Sequence, residues 1–253
     1  MVKHIILTDA ALDSADVLLV TRGTLPQTIG SLTAGDYTVR DTSSPVAGTV
    51  TEAAAPPDPG EDWYDALAMV DLDYENDRAY VNGTAYGSIA AARAAGAVAV
   101  NAHGNDTVAI SDPGASYVLA GRGATPATIG NEYIVAMDNG ANTNLVYIGT
   151  SATGASKAGG WLASGSSRLS QTASVITAAA NFRGAVRVKS GAGLLSFNGV
   201  AGSSGTSAVL PGGISTFIVA NRSAGDRGWS GTLHRVMLIT ADLTDAEVHA
   251  LLA

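Results

Sequence analysis

A chain of 253 residues with no cysteine, 14 Lys and Arg and 22 Asp and Glu is long enough to bury roughly three-quarters of its unfolded surface, and it has neither disulfides nor thiolate metal sites. A formal charge of −8 argues against a duplex-binding surface, because neutralising phosphates takes clustered cations. Charged residues make up only 14% of the chain beside 30 glycines, so the surface is polar without being charged, as in many virion and extracellular β proteins.

No apolar run is long enough to cross a membrane, and Met1 to Asp13 lacks the basic region and apolar core of a signal peptide. The expectation is a protein made in the cytoplasm and not inserted in a membrane; for such a chain to act outside a cell, lysis or particle release is a simpler route than secretion.

In chain order, residues 2–8, 17–21, 37–40 and 48–51 read as four short strands between turn-rich loops. Together they make a small β unit over 1–52, too small to be comfortable alone and suited to attachment or oligomerisation. The run Ala53-Ala-Ala-Pro-Pro-Asp-Pro-Gly60 favours extended polyproline II and predicts a semi-rigid linker over 53–62. A second domain over 63–253 follows.

That domain opens with a strand over Leu67 to Tyr74, a turn at Glu75-Asn76-Asp77, and a return strand over Arg78 to Val81 that ends at Asn82-Gly83, a strong hairpin signal. Ser88 can cap a brief Ala-rich helix to Ala95, with Gly96 placed for its C-terminal cap. Candidate strands then recur at Thr107–Ile110, Tyr117–Ala120, Glu132–Met137, Leu145–Ile148, Trp161–Ser164, Ser174–Thr177, Ala185–Lys189, Leu194–Phe197 and Thr216–Ala220. Their spacing, with Gly, Asn and Ser in the gaps, predicts a two-sheet sandwich, and no fixed repeat suggests a solenoid. One echo exists: Arg22-Gly-x-x-Pro-x-Thr-Ile-Gly30 recurs as Arg122-Gly-x-x-Pro-x-Thr-Ile-Gly130.

The chain closes on an apolar strand over Thr232 to Ile239, expected to be central, and a short helix. Thr244 and Glu247 form a capping box, and Leu243 can staple onto Val248. So short a helix is marginal by itself, so Val248, Leu251 and Leu252 should dock on a sheet.

The order Gly228-Trp-Ser-Gly-Thr-Leu-His-Arg-Val-Met-Leu-Ile239, a polar turn, then Leu243-Thr-Asp-Ala-Glu-Val-His-Ala-Leu-Leu252 resembles the end of concanavalin A-like, laminin-G-like jelly rolls. The pattern Asp71-Leu-Asp-Tyr74, a short turn, Tyr80-Val-Asn-Gly-x-x-Tyr86 and a small helix resembles the opening of such domains in fibre and spike proteins of tailed phages and gene transfer agents. The pattern departs at His234 and Arg235, where the family often carries acidic residues. The resemblance implies an all-β chain: a small N-terminal β unit plus a concanavalin A-like jelly-roll β-sandwich with a short C-terminal helix. It also implies a non-enzymatic spike or fibre component that binds host surface polysaccharide, contacts other particle proteins through its N-terminal unit, and forms an oligomer, taken here as a trimer.

Sugar recognition needs aromatic faces for pyranose rings and planar polar groups for vicinal hydroxyls. The candidates are Trp161 and Tyr147, with Asp138, Asn139, Asn142, Asn144, Asn221, Asp226 and Arg227 in expected loops. Tyr133 and Trp229 are further aromatics, Trp229 at the position where the resembled family usually buries one. Asp71, Asp73 and Glu75 alternate along one strand, similar to the paired carboxylates of retaining glycosidases on the same fold. A polysaccharide-degrading hydrolase is therefore the alternative function, and a purely structural decoration protein a third. No cofactor is expected. Asp73, Glu75 and Asp77 are the candidate ligands should calcium bind. No nucleophile elbow surrounds Ser164-Gly165-Ser166, and His4, His103, His234 and His249 have no zinc-like spacing.

Overall fold

The computed structural model describes residues 67–141, 143–151, 159–170 and 176–252, and the backbone alone at 4–8, 18–21, 35–40, 45–50, 156–158 and 171. The chain divides into two compact units, Met1–Glu61 and Asp62–Ala253.

In the first unit, strands β1 (His4–Thr8), β2 (Leu18–Thr21), β3 (Gly35–Arg40) and β4 (Pro45–Val50) form one antiparallel sheet in the order β2-β1-β3-β4. Pro45 begins β4, an edge strand, the kind of position to which proline is confined within sheets. The expected linker at 53–62 lies outside the described residues, as does the first copy of the Arg22/Arg122 echo.

The second unit is an antiparallel sandwich. Its eight-stranded sheet has the order β17-β16-β15-β10-β19-β5-β6-β7. These are β5 (Ala68–Asp73), β6 (Arg78–Val81), β7 (Thr84–Tyr86), β10 (Ser116–Ala124), β15 (Asn181–Lys189), β16 (Gly193–Phe197), β17 (Val200–Gly205) and β19 (Thr232–Ile239). The seven-stranded sheet has the order β14-β13-β12-β11-β18-β9-β8. It holds β8 (Ala99–Val100), β9 (Asp106–Ala109), β11 (Glu132–Asp138), β12 (Leu145–Ser151), β13 (Ser156–Ala163), β14 (Ser166–Gln171) and β18 (Thr216–Val219). The chain passes repeatedly from one sheet to the other, and its last strand, β19, lies inside the larger sheet between β10 and β5. This is the concanavalin A-like jelly-roll sandwich expected from the sequence.

Between the sheets lies one core. Leu72, Leu119, Val186 and Val236 meet Ile134, Met137, Ile148 and Phe217 there, all of them fully buried. At about 25 cal/mol per Å² of apolar surface removed from water, such side chains supply the main driving force for the sandwich.

The outer face of the larger sheet is also apolar at its centre. Val118, Ala120, Ala185, Met237 and Ile239 pack under Leu243, Val248, Leu251 and Leu252. This explains why β10 and β19 read as nearly continuous apolar runs, since both of their faces are covered. The cover is helix α2 (Asp245–Ala250), whose N-cap Thr244 forms the full capping box with Glu247. Helix α1 (Ile89–Ala94) starts at Ser88, whose side chain accepts from the Ala91 amide, and ends before Gly96 at φ +74°.

Strands β7, β8, β14 and β17 were not legible in the sequence. β17 is Ser, Gly and Ala after Val200, none of it buried, with no apolar period to betray it. Of the expected strand at Ser174–Thr177, residues 174 and 175 lie outside the described residues, and Ile176 and Thr177 are not in a strand; the Thr177 carbonyl instead accepts from the Thr125 hydroxyl at 2.7 Å.

Candidate functional site

With α2 on the outer face of the larger sheet, the outer face of the seven-stranded sheet carries a separate aromatic cluster. A register shift between Tyr133 and Val135 turns both Ile134 and Val135 into the core. Tyr133 and Ala136 then share the opposite face with Leu145, Tyr147 and Leu162. Tyr133 and Tyr147 stack there, with ring centroids 4.6 Å apart and planes inclined by 22°. Tyr133 is almost fully buried and Tyr147 only half-buried, so Tyr147 is the ring that faces outward.

The segment 221–230 runs alongside β11 and brings charge to this pair. Ser223 donates its hydroxyl to Asp138 at 2.7 Å, and the Arg227 carbonyl accepts from the Tyr133 amide at 2.8 Å, so the segment is tied at both ends of β11. Asn221 pins it internally: its Oδ1 accepts from the amides of Arg222 and Arg227, and its Nδ2 donates to Asn105. Gly225, at φ +73°, lies against the His103 ring, which fills the space a side chain would need.

Two guanidinium groups result beside the tyrosines. Arg222 forks onto Asp226 at 2.6 and 2.7 Å, which holds the Asp226 carboxyl at about 2. Burial pushes the Tyr147 phenol up to about 12, with Tyr133 adding to the shift and Arg227 opposing it. Burial likewise raises Tyr133, against the charges of Arg222 and Arg227. Both tyrosines are therefore neutral hydrogen-bonding phenols at ordinary pH.

The structure brings together Tyr133, Tyr147, Asp226 and Arg227 from the expected set, and adds Arg222. It removes others from the role expected of them. Trp161 is fully buried, its Nε1 donates to the Val209 carbonyl at 3.3 Å, and Gly193 leaves room for its ring. It is a core residue and has no free face for a sugar. Asp138 and Asn221 are buried and spend their polar atoms inside the scaffold, Asp138 accepting from Ser223 and the Gly140 amide, and Asn221 bonding the Arg222 and Arg227 amides and Asn105. Asn139 and Asn144 hold the β11–β12 hairpin, Asn139 Oδ1 accepting from Ala141 and Asn144 Oδ1 from the Ser164 amide. Asn142 lies outside the described residues. Trp229 is half-buried against the core, tilted onto Phe182. Arg222 was legible only as an Arg four residues before an acid, and the register that sets it beside Tyr133 has no local signature.

The carboxylates of β5 also differ from expectation. Asp71 is buried and paired with Arg235. Asp73 is fully buried, with Oδ1 accepting from the Glu75 and Asn76 amides and Oδ2 from Asn76 Nδ2 and Arg78 Nε. Burial opposes its ionisation, but those hydrogen bonds and the Arg235 charge hold its carboxyl below the usual aspartate value. Glu75 reaches Arg122, and Asp77 accepts from the Ile89 amide. The proposed calcium ligands thus point to separate partners, and among the described residues no group of three His, Asp or Glu side chains could hold a metal ion.

No family model and no curated protein matches the chain. Among solved structures, it is similar to the CBM40 of the Ruminococcus gnavus IT-sialidase at 12% identity and TM-score 0.46, covering 55% of this chain and 83% of that one. Domain 4 of AbnA, a GH43 extracellular arabinanase from Geobacillus stearothermophilus, matches at 19% identity and TM-score 0.43, over 62% and 76%. Trypanosoma rangeli sialidase matches at 15% identity and TM-score 0.46 over 61% of this chain, which spans 26% of that enzyme's length. These likenesses concern sandwich shape, and the fold assignment rests on the two sheets described above.

Proposed function

We propose that this chain is a non-catalytic, carbohydrate-binding surface component of a phage or phage-like particle, such as the spike or fibre of a gene transfer agent. It attaches to host surface glycan, capsular polysaccharide being the leading class. The observation that carries the reading is the stacked Tyr133–Tyr147 pair beside the Arg222–Asp226 fork and Arg227 on the outer face of the smaller sheet. A half-buried aromatic ring takes the C–H face of a pyranose, while a guanidinium and a carboxylate together donate to and accept from neighbouring hydroxyls. Each such contact is weak, so repetition on an oligomer or a particle would raise avidity. A trimer attached through the N-terminal unit meets that need.

The hydrolase alternative asks for two carboxylates free to act as acid and nucleophile about 5 Å apart. Asp71 and Asp73 are instead buried and held by Arg235, Arg78 and backbone amides, which favours the non-catalytic reading. Incubation with purified capsular polysaccharides tests it. Retention without cleavage supports the proposal, release of shorter saccharides favours the hydrolase, and neither favours a decoration protein.

A further inference from the structure

Across the centre of the eight-stranded sheet, three arginines stand in one row. Arg235 on β19 is the direct cross-strand partner of Arg122 on β10, which is the partner of Arg183 on β15. All three project outward, in phase with Met237, Ala120 and Ala185 beneath α2. Like charges directly opposite one another weaken a sheet. Two of the three are offset: Arg235 by Asp71 at 2.7 Å and Arg122 by Glu75 at 3.1 Å. Among the described residues no carboxylate pairs with Arg183, and the Nε of Arg122 is buried with no hydrogen-bond partner.

A cleft of about 370 Å³ opens on this row, at the small end of ligand pockets, which span roughly 300–1,000 Å³. Arg122 and Arg183 line it together with His234, Asn181, Asn198 and Leu252. Arg183 is held in place from behind: its amide donates to Asn198 Oδ1 at 3.0 Å, and its carbonyl accepts from the Asn198 amide at 3.0 Å. The position carries two guanidinium groups beside two asparagines, in a chain whose net charge is −8.

We propose that this cleft binds a carboxylate-bearing monosaccharide unit of the uronic-acid class. Arg183 grips the carboxylate with the positive charge of Arg122 beside it, guanidinium geometry being matched to that group, and the two asparagines take ring hydroxyls. The cleft lies on the opposite sheet from Tyr147, so this proposal stands or falls separately from the glycan contact proposed above.

The test is a titration of the full chain with glucuronate, glucose and inorganic phosphate in low salt, followed by NMR or calorimetry. The expected result is saturable glucuronate binding and none with glucose, weakened on the order of tenfold by R183Q, as for loss of one charge-assisted fork. Tyr147→Ala should leave it unchanged. Should R183Q fail to fold by thermal melt, Asn181→Ala serves in its place and should also weaken binding. The proposal is overturned by no glucuronate binding, by binding that these variants leave unchanged, or by glucose binding equally well. Phosphate displacing glucuronate at equal or higher affinity would overturn it too, since the cleft would then recognise an oxyanion without the sugar.

Discussion

Arg235 grips Asp71 through a buried double contact, Nε to Oδ1 at 2.9 Å and Nη2 to Oδ2 at 2.7 Å. The pair ties the last strand of the sandwich to its first, and it takes the leading carboxylate of the hydrolase alternative out of play. Removing one partner of a buried ion pair leaves an uncompensated charge. Asp71→Ala should therefore destabilise the protein by about 3–5 kcal/mol, while the double variant Asp71→Leu with Arg235→Met should recover much of that loss. Urea unfolding of the three proteins measures both effects.

Trp161 and Tyr147 sit on neighbouring strands of one sheet but do different work. Trp161→Ala should cost about 3–5 kcal/mol through the cavity it leaves, seen as a fall in the denaturation midpoint. Tyr147→Ala, on a half-buried ring, should cost far less stability. Comparing the two melts distinguishes the core aromatic from the surface one.

Asp73 makes stability depend on acidity with a definite sign. Its folded carboxyl titrates below the unfolded value of about 3.9, so its contribution is fully present above that pH and is lost as pH falls through the folded value. Asp73→Asn keeps an oxygen for the Glu75 and Asn76 amides but loses the charge facing Arg78 and Arg235. The variant should be less stable than the parent near neutrality, and the gap should narrow steadily below about pH 4. Urea midpoints collected between neutral and acid pH check this.

The Thr244 cap anchors α2 over the eight-stranded sheet. Thr244→Ala removes the acceptor for the Glu247 amide and should cost about 1 kcal/mol, with faster hydrogen exchange in α2 than in β19 as the local readout.

Local grammar made several of these features legible in advance. The Thr244 and Glu247 box, the Ser88 cap and the Asn82-Gly83 turn are each written within a few residues, and both turn residues adopt the positive φ that the pair favours. Alternation and spacing disclosed the core strands, because burial on one face imposes a period. The Ser- and Gly-rich strand β17 carries no such period, and it exists only because β16 offers it a ladder. Distant register was equally hidden. Whether Trp161 faced inward, whether Asp138 would spend itself on Ser223, and that Arg122 would stand opposite Arg183 all depend on strands brought together from afar. Which of the expected polar and aromatic residues share a face was therefore not legible: Tyr133, Tyr147, Asp226 and Arg227 come together on one face, while Trp161, Asp138 and Asn221 hold the scaffold.

The most direct measurement is a calorimetric titration of a capsular oligosaccharide, chosen by screening, into the wild-type protein and into folded Tyr147→Ala and Arg227→Ala variants. Saturable binding by the wild type, weakened by about 1 kcal/mol or more in each variant, is the predicted result. Binding that persists unchanged in both variants would contradict the placement of the glycan on this face, and no binding to any capsular glycan would contradict the attachment function.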